Sequence, residues 1–416
     1  MEQLKELLSL YSKPTSYYTQ FKKSSHHLLL KNRRFFKQFQ YTVPSPTSYP
    51  YQWLWDSIFH ALVLGHFSPK DAKKELLSLV SKQFPNGLIP HMIYWKKGKV
   101  INLDWGKNGT SSITQPPLLA YAVWKIYQKD RDQKFLEDIY PHLSAYYHYL
   151  LIDRDPRENH LIGIINPDES GEDDSPRFDI PLRLPPQHTQ QENFKRRLNL
   201  IKQNFKTCHF DAPFCMKNFF WVKDVPFNAI IVESLGCLAN IAAQVKHKEE
   251  ARYFSKKALL IRDAMRKLMM EDGIFWSTYD QDYKKIKVLT WAIFAPLFAK
   301  IYTPEEARSA VKDHLLNPDE FYLKFLVPTV SRSEPSFNAN GFWRGPVWMA
   351  TNWFIYKGLV NYGFFNLAQE LLESSIKLIK QSGFREQFNP LTGEGRGAKE
   401  FTWGTLIIDM IEDRLD

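Results

Sequence analysis

The stretch NAIIVESLGCLANIAAQV, Asn228–Val245, contains a single charged residue, Glu233. A helix at a protein surface keeps a polar face. This one has almost none, so it demands other elements around most of its circumference. The rest of the chain is rich in helix signals. In SPKDAKKELLSLVSKQ, Ser68 is an N-cap, Pro69 takes the first helical position and Asp71 the third; Leu76, Leu77 and Val80 follow as a helical stripe. TPEEARSAVKDHLL repeats that grammar, with Thr303 and Glu306 placed as a capping box around Pro304. Further helices are expected to start near Pro116, Phe135, Phe227, Glu249, Trp291, Pro346, Phe365 and Phe401. Alternating strand patterns are few; GIFWSTYDQ and KVLTW read as short strands or turns. The expectation is a mainly α chain of paired helices without an internal sequence repeat, joined by long loops of the kind that carry function. The longest loop spans roughly 180–220, with an extra helix in QQENFKRRLNLIKQNF.

Composition narrows the function classes. Aromatic residues make up 15% of the 416, enough for a large helical core or for a site that stacks flat ligands such as sugar rings. Cys208, Cys215 and Cys237 cannot all pair, which argues against a disulfide framework. The run MEQLKELLSLYSKPTSYY has charges inside its apolar stretch and does not read as a leader. No apolar run reaches the roughly 18 residues of a membrane span, so a cytoplasmic protein is expected. The formal charge of +10 comes mostly from scattered lysines. Its densest cluster, Lys195, Arg196 and Arg197 with Lys202 and Lys206, reads as a solvated helix face. No nucleic-acid motif accompanies it.

Five stretches carry candidate chemistry. YQWLWDSIFH sets Tyr51, Trp53, Trp55 and Asp56 before a helical stripe. Indoles beside a carboxylate suit a pyranose; the alternative is a helix cap next to core tryptophans. PNGLIPHMIYW and SSITQPPLLAY add His91 and Gln115, either ligand contacts or a structural histidine and a cap. NPDESGEDDSPRFD holds six acids, Asp168, Glu169, Glu172, Asp173, Asp174 and Asp179, around Gly171 and Arg177. Their spacing lacks the alternating ligands, central glycine and late glutamate of an EF-hand, so no metal is expected. A carboxyl held near other acids or in an apolar pocket titrates high, as a general acid must; a solvated acidic loop is the alternative. NANGFWRGPVWMATNW gathers Trp343, Arg344 and Trp348 around a Gly-Pro turn, which points to a pocket. REQFNPLTGEGRGAKEFTWG offers Glu386, Glu394 and Glu400 as carboxylates, with Trp403 behind them, and its glycines lack the dinucleotide-loop frame.

The order of these motifs is more specific than any one of them. W-x-W-D-S, P-N-G-x-x-P-H, Q-P-P, E-S-G-x-D-x-S-P-R, W-R-G-P-x-W and E-x-F-x-P-x-T-G-x-G-x-G-A-x-x-F-x-W together resemble glycoside hydrolase family 63. The trehalases of family 37 share a looser version. The resemblance covers about Tyr51 to Asp409, and a chain of this length is most similar to the mannosylglycerate and glucosylglycerate hydrolases. It implies an (α/α)6 barrel as a single catalytic domain over 1–416. It also implies hydrolysis with inversion, without metal or organic cofactor, on a small carbohydrate; neither nucleic acid nor membrane is an expected partner.

Carried over residue by residue, the resemblance puts the general acid at Asp173 and the general base at Glu386. Sugar-binding positions fall on Trp55, Asp56, Gln115, Trp343 and Trp348, with Tyr51, His91, Gly171, Arg344 and Trp403 as further contacts. Arg177 becomes the positive partner of Asp173, and the other acids become surface or capping groups. Glu172 stands where the family usually has an aromatic or apolar residue, Asp174 where it often has Asn, and Phe388 where Tyr is common. The expected reaction is exo-cleavage of an α-glucosyl- or α-mannosylglycerate. The alternatives are an α-glucosidase acting on a neutral di- or oligosaccharide and a non-catalytic carbohydrate-binding barrel.

Overall fold

The computed structural model describes residues 16–96 and 109–413. Most of the opening run read above for a leader lies outside these. The helices are α1 (Ser16–Asn32), α2 (Leu54–Leu64), α3 (Pro69–Val80), α4 (Leu119–Asp130), α5 (Gln133–Asp153), α6 (Gln190–Thr207), α7 (Ala212–Asn218), α8 (Val225–Gln244), α9 (Lys248–Leu268), α10 (Ala295–Phe298), α11 (Pro304–Ser309), α12 (Met349–Asn361), α13 (Phe365–Ser382) and α14 (Ile407–Asp413). A 3-10 turn, Trp291–Phe294, leads into α10, and a π turn, Ala310–Leu315, continues α11.

Six of these helices form an inner ring. Each of α2, α4, α8, α10, α12 and α14 packs on the next, and α14 closes back onto α2. Their partners α3, α5, α9, α11, α13 and α1 lie outside, so that the last helix of the chain pairs with the first. This is an (α/α)6 barrel. The helix Val225–Gln244 is long and apolar enough to cross a membrane by composition, but here it is α8, mostly buried by its neighbours. Its lack of a polar face is thus met by an inner-ring position. The outer helix α9 instead alternates buried Phe254, Ala258, Ile261 and Met265 with exposed charge, as helical periodicity requires.

Local signals behave as read. Ser68 accepts from the Asp71 N–H with Pro69 at the first turn of α3. Thr303 and Glu306 close a capping box on α11. The stretch GIFWSTYDQ yields two short strands, Ile274–Phe275 and Thr278–Tyr279, whereas KVLTW forms none. The extra helix in the long loop is α6, and α7 follows it. Cys208 and Cys215 are bonded between these two, with Cα atoms 5.7 Å apart, and Cys237 is a buried thiol. This single bridge is a local staple within the insertion.

Candidate active site

The ring geometry gathers the ends of the inner helices. Trp55 and Asp56 open α2, Gln115 precedes α4, Trp343 and Trp348 precede α12, and Trp403 precedes α14; all six line one cavity of about 270 Å³. Side chains far apart in sequence thereby reach one place. Helix N-termini also leave backbone N–H groups unsatisfied and carry a positive dipole end.

Four carboxyl groups line the cavity, Asp56, Asp168, Asp173 and Glu386, and the last two are the pair singled out for catalysis. Glu386 sits on the hairpin of Arg385–Phe388 and Gly395–Lys399. Its Oε1 accepts from the Tyr49 hydroxyl at 2.5 Å and its Oε2 from the Ala398 N–H at 2.7 Å. Burial pushes its titration upward, opposed by those two donors, while the charge of Asp173 acts in the same direction as burial. Glu386 also explains a glycine. A Cβ on Gly397 would lie 2.2 Å from Glu386 Oε2, and the residue has φ +65°. Glu394 is exposed and Glu400 pairs with Lys31, so neither faces the cavity.

Asp173 follows Gly171, whose φ of +75° suits glycine. A Cβ there would lie 2.3 Å from the Trp55 ring, so the indole packs directly on the turn. The ionic partner of Asp173 is Arg197 of α6, whose Nη1 lies 2.6 Å from Asp173 Oδ2. Arg197 is buried and lines the cavity with Phe194, Leu198 and Ile201 of the same helix.

The wall is aromatic. The Trp343 and Trp348 rings stack at 3.8 Å and 7°, and Trp403 leans on both. Trp403 Nε1 donates to Asp56 Oδ1 at 2.6 Å, while burial raises the Asp56 carboxyl to about 6. Burial lowers His91 to about 3, which leaves its imidazole neutral. Its Nδ1 is 2.6 Å from Ser111 Oγ. Gln115 Oε1 accepts from the Trp55 N–H at 3.4 Å.

Such a cavity can hold one pyranose against indole faces, with one carboxyl clamped by a cation and another held by two N–H or O–H donors. Comparison with known proteins decides its class. Residues 49–404 match the family described as the mannosylglycerate hydrolase MGH1-like glycoside hydrolase domain. The chain belongs to this family and is a glycoside hydrolase. It is 32% identical over 400 residues to a mannosylglycerate hydrolase of Thermus thermophilus, covering 88% of this chain and 95% of that one. It is 28% identical to a glucosylglycerate hydrolase of Mycolicibacterium hassiacum over 88% and 93% of the two chains. A crystal structure of a family 63 mannosylglycerate hydrolase from Thermus thermophilus with Tris and D-glycerate superposes with a TM-score of 0.86 at 30% identity, covering 94% of this chain and 100% of that one. The neutral trehalase Nth1 of Saccharomyces cerevisiae shares the fold, with a TM-score of 0.64 at 16% identity over 94% and 80% of the chains.

The hydrolase cavity contains most of the residues singled out from sequence, namely Trp53, Trp55, Asp56, His91, Gln115, Gly171, Asp173, Trp343, Trp348, Glu386 and Trp403. Three lie elsewhere. Tyr51 packs edge-on against Tyr94 in a separate apolar cluster with Met92 and Ile165. Arg344 sits behind the wall and binds both oxygens of Asp179, at 2.9 and 2.6 Å. Arg177 is fully engaged with Glu172, at 3.0 and 3.1 Å, and with Asp224 at 3.2 Å. It is therefore not the partner of Asp173.

The acidic stretch departs from the expectation of surface or capping groups. Asp168, Glu169, Glu172 and Asp174 are all buried. Each pairs with a different arginine, Asp168 with Arg197, Glu169 with Arg154, Glu172 with Arg177 and Asp174 with Arg344, although Arg197, Arg177 and Arg344 are shared with Asp173, Asp224 and Asp179. A buried charge is costly unless paired, and the pairing here comes from four separate parts of the chain. Reading the basic cluster as one solvated face hides Arg197. Lys195, Arg196, Lys202 and Lys206 are exposed as expected, but Asn193, Arg197, Leu200, Ile201 and Asn204 form the buried stripe of α6. Their helical spacing is the signal that could have found it.

Proposed function

We propose that this hydrolase removes an α-linked mannosyl or glucosyl group from glycerate, exo-wise and with inversion. One observation carries the reading. The cavity that holds Asp173 and Glu386 has a single arginine or lysine among the described residues lining it, Arg197. Its Nε donates to Asn193 and its Nη1 contacts Asp168 and Asp173, while Nη2 has no hydrogen bond to a described residue. A guanidinium beside the reacting centre suits an aglycone that carries a carboxylate. The cavity volume, about 270 Å³, falls just below the usual range of ligand sites, about 300–1,000 Å³, which favours one sugar with a small aglycone over an oligosaccharide. The names of the relatives point the same way.

In this mechanism Asp173, protonated, gives its proton to the glycosidic oxygen as the bond to the anomeric carbon breaks. Glu386, ionised, takes a proton from the water that attacks the opposite face. Inversion needs about 6.5–9.5 Å between the two carboxyls to admit that water. Trp343 and Trp348 offer apolar faces to the ring, and Asp56 and Gln115 offer acceptors for its hydroxyls.

The test follows anomeric protons by NMR from the first minutes, with α-mannosylglycerate, α-glucosylglycerate, trehalose, kojibiose, nigerose and maltose as substrates. Release of a β-sugar from a glycerate is expected. Turnover of a disaccharide alone would move the enzyme to neutral α-glucosides, and an α-sugar as first product would exclude inversion. Arg197→Gln should lower kcat/KM for the glycerate about 10- to 100-fold more than for the matching methyl α-glycoside, since a hydrogen bond to a charged group contributes about 1.5–3 kcal/mol. An equal loss on both would remove Arg197 from aglycone recognition.

A further inference from the structure

Arg197 poses a problem for the acid it contacts. A general acid must present a proton, yet Asp173 Oδ2 lies 2.6 Å from Arg197 Nη1, a nitrogen that can donate but not accept. The same nitrogen, Nη1, donates to Asp168 Oδ1 at 2.9 Å. Asp168 lines the cavity and is buried. Its second oxygen, Oδ2, is buried without any hydrogen-bond partner among the described residues. A buried carboxylate oxygen left without a donor is costly and calls for a reason. It lies beside a cation already bonded to the other oxygen of the same group, so it is a vacant acceptor within reach of a small guanidinium movement.

We propose that Asp168 is a positioning residue that draws Arg197 off Asp173 in each catalytic cycle, so that Asp173 can take up the proton it donates. The inference rests on Asp173 being the general acid. In the resting state Arg197 bridges two carboxylates. A solvent proton binds Asp173, its contact with Arg197 breaks, and the guanidinium gives a second N–H to Asp168 Oδ2. The proton on Asp173 then passes to the aglycone oxygen, which also receives the electron pair of the broken C–O bond. Water forms the new bond to the anomeric carbon and loses a proton to Glu386, which returns it to solvent. Asp173, again a carboxylate, recovers Arg197. Asp168 Oδ1 already accepts from Nη1 and its Oδ2 has no donor among the described residues, so the group has room for both N–H groups.

The remaining charges near Asp173 do not replace this function. Glu386 faces it from the C-terminal hairpin, with Tyr49 bonded to it. Asp174 is adjacent and paired with Arg344. Asp56 and His91 are the other titratable groups on the cavity wall. Arg154 and Arg177 are held by Glu169 and by Glu172 with Asp224.

The experiment measures kcat/KM against pH on the preferred glycosylglycerate for the wild type, Asp168→Asn, Arg197→Gln and the double variant. Loss of the Asp168 charge leaves Arg197 to Asp173 alone, so the basic limb should move down by about one pH unit, roughly a tenfold loss of rate on that limb. Arg197→Gln should move the limb up. In the Arg197→Gln background, Asp168→Asn should shift it little further. A downward shift that persists in that background would mean that Asp168 acts by its charge alone and would overturn the proposal. A uniform loss with an unmoved limb would reduce Asp168 to a structural role and would also overturn it. If Asp168→Asn does not fold, Asp168→Ser carries the same comparison.

A second substrate separates this failure from failure of the acid assignment. An α-mannosyl or α-glucosyl fluoride leaves with little help from an acid. At a pH on the basic limb, Asp168→Asn should lose about tenfold on the glycoside and clearly less on the fluoride, and equal losses on the two would overturn the proposal. Asp173→Asn active on the glycoside at the wild-type rate would instead remove the acid assignment itself.

Discussion

Asp173→Asn and Glu386→Gln should each lower kcat by roughly 10²–10⁴-fold, the range of a positioned acid or base, with cooperative melting retained. Both groups line a preformed cavity and neither is part of the helical core. Glu386→Ala should regain activity with azide and release the β-glycosyl azide, because the small anion can occupy the space of the carboxylate and attack the same face. A wild-type rate for either variant, or a dead Glu394→Ala or Glu400→Ala with Glu386→Ala active, would refute the pair. The pH profile supplies a further check. A base must be ionised, so activity falls as pH drops through its pKa. Burial holds Glu386 above its ordinary value of 4.5. The acidic limb should therefore lie above that value. The Tyr49 hydrogen bond acts downward on Glu386, so Tyr49→Phe should move the limb to still higher pH. A limb that stays in place or moves down would break the link between Tyr49 and the base.

Glu169→Ala should destabilise the protein by about 3–5 kcal/mol, the cost of removing one partner from a buried ion pair. Arg154 and Glu169 are each wholly buried and joined by two bonds of 2.6 Å. Glu169 also accepts from the backbone N–H groups of Thr114, at 3.1 Å, and Ile165, at 2.8 Å. It thus pins the segment that leads to Asp173 to the loop that carries Gln115. Arg154→Leu should be comparably damaging, since Glu169 would be left buried without its cation. The double variant Glu169→Ala, Arg154→Leu should lose less than the two singles combined, because both charges leave together. Chemical denaturation of the four proteins would measure this. A Glu169→Ala variant as stable as the wild type would show that the pair contributes nothing.

Glu169 lies within the same six-acid stretch as Asp173. One group secures the fold and the other faces the cavity. The difference is the partner, and apart from Arg177 none of the partners lies within the stretch itself. Arg154 ends α5, Arg197 lies inside α6 and Arg344 precedes α12. Sequence proximity assigns Arg177 to Asp173, because separation along the chain is the only distance a sequence offers. In the folded chain Arg177 reaches Glu172 and Asp224 instead. Tyr49 escapes a reading of the sequence for a related reason. Nothing around it distinguishes a phenol bonded to Glu386 from any other loop tyrosine.

Local chemistry determined the parts. Caps at Ser68 and Thr303, the nearly charge-free run of α8 and the helical periodicity of the outer helices are properties of neighbouring residues, so they can be read in one dimension. The motif order likewise marks the cavity positions of Asp173, Glu386 and the tryptophans of the wall. Tertiary structure decided the pairings. Which arginine neutralises which carboxylate, which carboxyl faces the cavity and which oxygen of Asp168 stays without a donor all depend on distances between helices. Electrostatic energy in a buried site follows separation in space, and closing the ring of α2 to α14 is what sets that separation.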